Sequence, residues 1–160
     1  MIDHLKYLNI LLCTDYSKDA EASFVHAFDQ AIKYKATLHI LNVIPKINPC
    51  KVKIYDPPLS KKESVKKSDE LDDENRLQSL GALKKVYSNR CRDVINHKFE
   101  VCVGSPDMEI INYSQENKVD MIIMGTAGRQ EAKRLTYIRT AANVSKYANC
   151  QVITIGSPKA

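Results

Sequence analysis

The sequence predicts an α/β fold: a single Rossmann-like domain with a five-stranded parallel sheet and helices on both faces. Two observations predict it. Short, nearly continuous apolar runs alternate with longer amphipathic stretches along the whole chain. This is the pattern of strands buried on both faces and joined by right-handed helical crossovers. The chain has 160 residues, enough for one domain to bury its own core.

The first run, LNILLCT (8–14), reads as a fully buried strand. Phe24, Phe28, Ala31 and Ile32 follow at helical spacing, and TLHILNVI (37–44) is the second strand. Residues 45–68, PKINPCKVKIYDPPLSKKESVKKS, hold four of the six prolines and many lysines, which predicts an exposed, flexible loop within the domain. A helix resumes through Leu77, Leu80, Leu83 and Tyr87, and HKFEVCV (97–103) is the third strand. Gly104-Ser105-Pro106-Asp107 marks a helix start, with Ser105 as N-cap, Pro106 at the first helical position and acids in the first turn. VDMIIM (119–124) is the fourth strand. Ile138, Ala141, Val144 and Ala148 mark the last helix, and CQVITI (150–155) is the fifth strand and a sheet edge.

The excess of 24 Lys and Arg over 19 Asp and Glu is small and fits solubility as well as an anionic partner. There is no Trp and no basic stretch interleaved with aromatics, so nucleic acid is not an expected partner. No apolar run approaches the roughly 18 residues that span a bilayer, and LNILLC is too short for a signal-peptide core. The chain therefore reads as cytoplasmic, without a membrane partner. Five cysteines without a CxxC pair suit a reducing compartment, with Cys13, Cys102 and Cys150 in or beside apolar runs as small core residues. The four histidines are scattered, so no structural metal is expected.

Open parallel sheets bind ligands beyond the carboxyl ends of their strands, where the strand order reverses. Asp15 follows the first strand and Gly125 the fourth; if those strands are neighbours, both residues face one crevice. Asp15 either accepts hydrogen bonds from ribose hydroxyls or caps the next helix, a task that Ser17 or Asp19 would perform equally well. Gly125 and Gly128 either let backbone amides converge on an anion or form a tight strand-to-loop turn. Arg129, Lys133, Arg134 and Arg139 follow. No Ser-His-Asp set is visible, and no catalytic residue is assigned.

LLCTDYSKDAEASF (11–24), LHILNVI (38–44), GSPDMEIINYSQENKVDMIIMGTAG (104–128) and NCQVITI (149–155) resemble, in order and spacing, the universal stress protein family. The resemblance covers nearly the whole chain. It implies an adenine-nucleotide-binding-like α/β fold and a homodimer paired through the last strand. Nucleotide-binding members carry Gly-x2-Gly-x9-Gly-(Ser/Thr) in the loop after the fourth strand. Gly125 and Gly128 match; then Ile138 stands at the third glycine and Arg139 at the Ser/Thr position. A β-branched Ile would bring a side chain into the space where an amide approaches phosphate. Arg139 would supply charge without the same fixed geometry, and Thr140 comes one position late for the hydroxyl role. Asp15 and Val43 match the family's ribose and adenine contacts.

The ligand so implied is ATP or AMP, with metal limited to nucleotide-associated Mg. Three functions follow from the resemblance. The first is a dimeric stress-response or signalling module with a partly degenerate adenine-nucleotide site and a protein partner that the sequence does not name. The second is an ATP- or AMP-binding protein in which Arg139 and Lys133, with Arg134, replace the missing donors. The third is an enzyme, at most a weak ATP hydrolase or a relative of the adenylating enzymes of this fold. TDYSKDA (14–20) lacks the glycine- and serine-rich loop that those enzymes use, which favours a binding or regulatory protein.

Overall fold

The structure, a computed structural model, describes residues 6–51, 59–126 and 134–156. It contains the predicted five-stranded parallel sheet: β1 (Asn9–Cys13), β2 (Thr37–Ile44), β3 (His97–Val103), β4 (Met121–Gly125) and β5 (Gln151–Ile155). Four helices connect them: α1 (Lys18–Tyr34), α2 (Lys61–Cys91), α3 (Pro106–Glu116) and α4 (Arg134–Tyr147). The spatial order is β3-β2-β1-β4-β5. Sequence order runs one way from β1 to β3 and the other way from β4 to β5, so the switch point lies between β1 and β4.

Side chains alternate across a strand, and both faces of this sheet are covered. Ile10, Leu12, Leu38, Ile40, Met121 and Ile123 pack with Phe24, Ala27 and Ala31 of α1 and Leu83 and Tyr87 of α2. Leu11, Leu41, Ile122 and Met124 pack with Ile110 and Ile111 of α3 and Ala141 and Val144 of α4. This is why the first and fourth strands read as unbroken apolar runs.

One buried polar chain interrupts the second layer. His39 is 1% exposed; its Nδ1 lies 2.8 Å from the Tyr113 hydroxyl and its Nε2 lies 3.2 Å from Asn9 Oδ1. Asn9 Nδ2 donates to the Lys118 carbonyl, which leaves Oδ1 as an acceptor. His39 is thus assigned as the Nε2–H tautomer, accepting from Tyr113 at Nδ1. Burial, and then the nearby Lys98 charge, push its pKa down to about 4, so it is a neutral core residue at physiological pH.

Several expectations need correction. The loop expected over 45–68 ends earlier, because α2 begins at Lys61 behind a capping box. The Ser60 hydroxyl accepts from the Glu63 amide at 3.3 Å, and the Glu63 carboxylate accepts from the Ser60 amide at 2.8 Å. Residues 61–68 are therefore helical, and 52–58 lie outside the described residues. Ser105 is the N-cap of α3, but its hydroxyl makes no cap bond; it donates instead to Asp107 Oδ1 at 2.6 Å. Ile32, Leu77 and Ile138 are exposed rather than core. In α1 the buried stripe is Ala20, Phe24, Ala27 and Ala31, and Ile32 falls one position past it. Of the cysteines, Cys91 is buried, Cys13, Cys102 and Cys150 are half-buried, and Cys50 is exposed. No helix among the described residues is long and apolar enough to cross a membrane.

Candidate functional site

The switch point opens a crevice of about 350 Å³ at the carboxyl ends of β1, β2 and β4. β1 delivers Asp15 there because the chain turns sharply into α1. Tyr16 sits at φ 63°, a left-handed conformation that costs a non-glycine residue energy and is kept where surrounding structure enforces it. The Tyr16 amide donates to Thr14 Oγ1 at 3.1 Å, and Thr14 Oγ1 lies 2.8 Å from the Tyr87 hydroxyl of α2. The floor is tied by Asn42, whose Nδ2 donates to the Thr14 carbonyl (2.8 Å) and whose Oδ1 accepts from the Ser79 hydroxyl (2.8 Å).

Asp15 lines the crevice, and the choice between cap and ligand is partly resolved. The N-cap of α1 is Ser17, whose hydroxyl accepts from the Ala20 amide at 3.1 Å. Asp15 Oδ1 accepts from the Ser17 amide at 3.0 Å, an Asx-type turn that leaves carboxylate capacity for other donors. Tyr137 of α4 lines the same crevice. Burial first, then the nearby Asp15 carboxylate, hold the Tyr137 hydroxyl above its ordinary pKa.

Val43, Leu41 and Pro45 from β2 and its exit, with Ile110 and Met124, give the crevice an apolar wall. Cys13 also lines it, but burial, with smaller contributions from Cys102 and Cys150, keeps its thiol protonated far above the usual range. It is not an activated nucleophile.

Gly125 lines the same crevice, yet its own constraint lies behind it. A Cβ at this position would sit 2.7 Å from Asp19 Cβ and 3.3 Å from the Asp19 carbonyl carbon, so the bare glycine lets the start of α1 pack against the end of β4. Gly128 and Lys133 lie outside the described residues.

The other expected site residues are helical. Ile138 and Arg139 are in α4, both exposed, and neither is among the crevice lining. A helix turns about 100° per residue, and in α4 the inward positions are Tyr137, Thr140, Ala141 and Val144. Thr140 does line the crevice, 7% exposed, but its hydroxyl donates to the Thr136 carbonyl at 3.0 Å. α4 is fixed against α3 by Asn143, whose Nδ2 donates to Asp107 Oδ2 at 2.7 Å. Ser105 and Asn143, the main partners of the Asp107 carboxylate, lower its pKa.

Among the described lining residues Asp15 is the one charged side chain. Sequence reasoning brought Asp15, Val43, Gly125 and Thr140 to this place; it did not find Tyr137, Asn42, Ile110 or Met124. The 137/140/141/144 spacing carried the signal for Tyr137.

The sequence profile of the universal stress protein family matches residues 6–156. The chain belongs to the universal stress protein family. Universal stress protein MJ0531 of Methanocaldococcus jannaschii is 33% identical over 78 residues, a match covering 49% of this chain and 46% of that protein. The Staphylococcus haemolyticus relative SH1215 is 29% identical over 94% of this chain and 86% of its own length. Among solved structures, universal stress protein UspA from Lactobacillus plantarum superposes with a TM-score of 0.62 at 26% identity, covering 95% of this chain and 99% of that one. Two more distant structures share the fold. One is a universal stress protein in complex with cAMP (TM-score 0.61, 19% identity, 94% of this chain and 98% of that one). The other is an Arabidopsis thaliana family protein with AMP bound (TM-score 0.58, 15% identity, 94% of this chain and 92% of that one).

Proposed function

We propose that this universal stress protein binds the adenosine part of an adenine nucleotide in the β1–β4 crevice and holds the phosphates weakly. It works as a cytoplasmic, homodimeric regulatory module rather than a catalyst. The observation that carries the reading is the lining itself: one carboxylate beside an apolar wall, with no cation among the described lining residues. Asp15 is suited to ribose hydroxyls, which donate to a carboxylate, and Val43, Ile110 and Met124 form a slot for a flat base. Among the described lining residues a phosphate finds no comparable partner. Arg139 is exposed on the outward side of α4, and the Thr140 hydroxyl is spent on the helix backbone. The monophosphate ligands of the two structures of the same fold, cAMP and AMP, agree with this division.

The dimer rests on an asymmetry between the sheet edges. On the open side of β3 the Val101 amide is met by the Glu100 carboxylate at 3.0 Å, and Arg76 of α2 lies 3.6 Å from Glu100. β5, QVITI, carries no charge, so it lacks the usual device that keeps an edge from pairing.

Thermal unfolding tests the ligand. Adenosine and AMP at millimolar concentration should each raise the melting temperature, since a ligand that binds only the folded state stabilises it. Unchanged melting with both would refute the nucleotide reading.

A further inference from the structure

We propose that Ser79 and Tyr87 of α2 are positioning residues for the crevice: through Asn42 and Thr14 they hold both peptide groups that flank Asp15, and so set where its carboxylate points. The inference rests on the adenosine reading of the crevice, in which Asp15 takes the ribose hydroxyls. Neither Ser79 nor Tyr87 is among the residues that line the crevice.

The link begins at Asn42. Leu38, Ile40 and Asn42 point to one face of β2, and the first two are core residues on the α2 side. A third apolar residue would continue that pattern, yet an amide stands there, 7% exposed. Burying an amide is costly unless its groups are hydrogen-bonded, and both ends of this one are. Nδ2 donates to the Thr14 carbonyl at 2.8 Å. A carbonyl only accepts, so this bond settles which end of the amide is which. Oδ1 is then the acceptor for the Ser79 hydroxyl at 2.8 Å. That bond sets Ser79 apart from other helical hydroxyls. Those of Ser23, Ser68, Ser114 and Thr140 each donate to a carbonyl of their own helix; Ser79 reaches across to the sheet.

The Asn42 bond to the Thr14 carbonyl holds the peptide group that precedes Asp15. The peptide group that follows is held by its N–H: the Tyr16 amide donates to Thr14 Oγ1 at 3.1 Å, and Thr14 Oγ1 lies 2.8 Å from the Tyr87 hydroxyl. Peptide groups are planar, so fixing both of them fixes the direction in which the Asp15 side chain leaves the backbone. The turn needs such restraint, because Tyr16 at φ 63° is in a region that a non-glycine residue keeps only where its surroundings enforce it. α2 thus supports Asp15 from behind the sheet without occupying the crevice.

The test uses two variants that each remove one hydroxyl, Ser79→Ala and Tyr87→Phe, with melting curves to show that they are folded. Calorimetry compares adenosine with 2′,3′-dideoxyadenosine, which lacks the hydroxyls that Asp15 takes. Wild type should prefer adenosine by about tenfold, the scale of a hydrogen bond to a charged group. Each variant should shrink that preference by about threefold, a part of the same bond, by weakening adenosine alone. With Asp15 already replaced by alanine, neither variant should change it further. A merely structural role would lower the melting temperature and leave the preference as it is, because the folded molecules bind both nucleosides as before. An unchanged preference in the folded variants, or an equal change in the Asp15→Ala background, overturns the positioning role and leaves the adenosine reading standing. Ser79 is half-buried, so Ser79→Ala decides alone if the core variant Tyr87→Phe does not fold. Equal binding of the two nucleosides by wild type also overturns the positioning role, since Asp15 then reads no hydroxyl. Absence of binding of either nucleoside to wild type at millimolar concentration overturns the adenosine reading, and the positioning role with it.

Discussion

His39 is a polar residue made into a core residue, and its chemistry gives a pH dependence of known sign. The folded protein holds it near pKa 4, below its ordinary value of 6.5. Between those values the unfolded chain takes up a proton that the folded chain refuses, so stability falls as pH drops through this window. The contribution is complete above about pH 6.5 and exhausted below about pH 4. Urea melts of wild type and His39→Gln across pH 4–7 check this: the wild-type curve should fall more steeply with acid. Parallel curves would mean that His39 is protonated in the folded state. At this scale the sequence was only partly readable. Asp15 was found because a strand end is visible in a pattern of apolar runs, and Val43 through the family resemblance. Gly125 was found for an incomplete reason. Its glycine answers to the approach of Asp19 at 2.7 Å, a contact between segments more than a hundred residues apart in the chain. The positive φ of Tyr16 was not legible, because an aromatic residue carries no turn signal.

At the scale of elements, the buried face of α4 is the expected one except at its start, where Tyr137 and Thr140 turn inward and Ile138 does not. The spacing of Ile138, Ala141, Val144 and Ala148 looks like a stripe, yet Ile138 is 46% exposed while Ala141 and Val144 are buried. Ala141 and Val144 keep the expected stripe, which extends toward the crevice through Tyr137 and Thr140 instead of Ile138 and leaves Arg139 outward. In this register a glycine at position 138 interrupts a helix and opens no space in the described crevice lining. Ile138→Gly should lower stability by about 0.5–1 kcal/mol and leave ATP affinity within about twofold of wild type. Denaturant melts and calorimetry on the one variant check both parts; a tenfold gain in ATP affinity would return Ile138 to the site. The start of α2, in contrast, was written in the sequence. Ser60-Lys61-Lys62-Glu63 is a capping-box pattern, masked by the prolines and lysines around it.

At the scale of the molecule, the parallel sheet and the alternation of strands and helices were fully readable from the order of apolar runs. The strand order was not, since it depends on crossovers that composition does not encode; that the first and fourth strands are neighbours entered only as a condition. β5 is an edge, and its two sides can be told apart. The Ile155 carbonyl accepts from the Thr126 amide at 3.1 Å, so Gln151, Ile153 and Ile155 turn their backbone groups toward β4. Val152 and Thr154 turn theirs to the open side. Thr154→Pro should therefore remove an outward donor without cutting the β4 ladder, and shift the protein from dimer toward monomer in sedimentation. A dimer that tolerates this change in folded protein would lie on another surface.

The claim that most needs testing is that the crevice keeps the adenosine end of a nucleotide site and has lost its hold on the phosphates. Calorimetric titration of the wild-type protein with adenosine and with MgATP, side by side at one ionic strength, tests it most directly. The account predicts dissociation constants within about threefold of each other, a difference below about 0.7 kcal/mol. ATP bound tenfold or more tightly than adenosine would contradict it, and would show that the triphosphate has partners of its own.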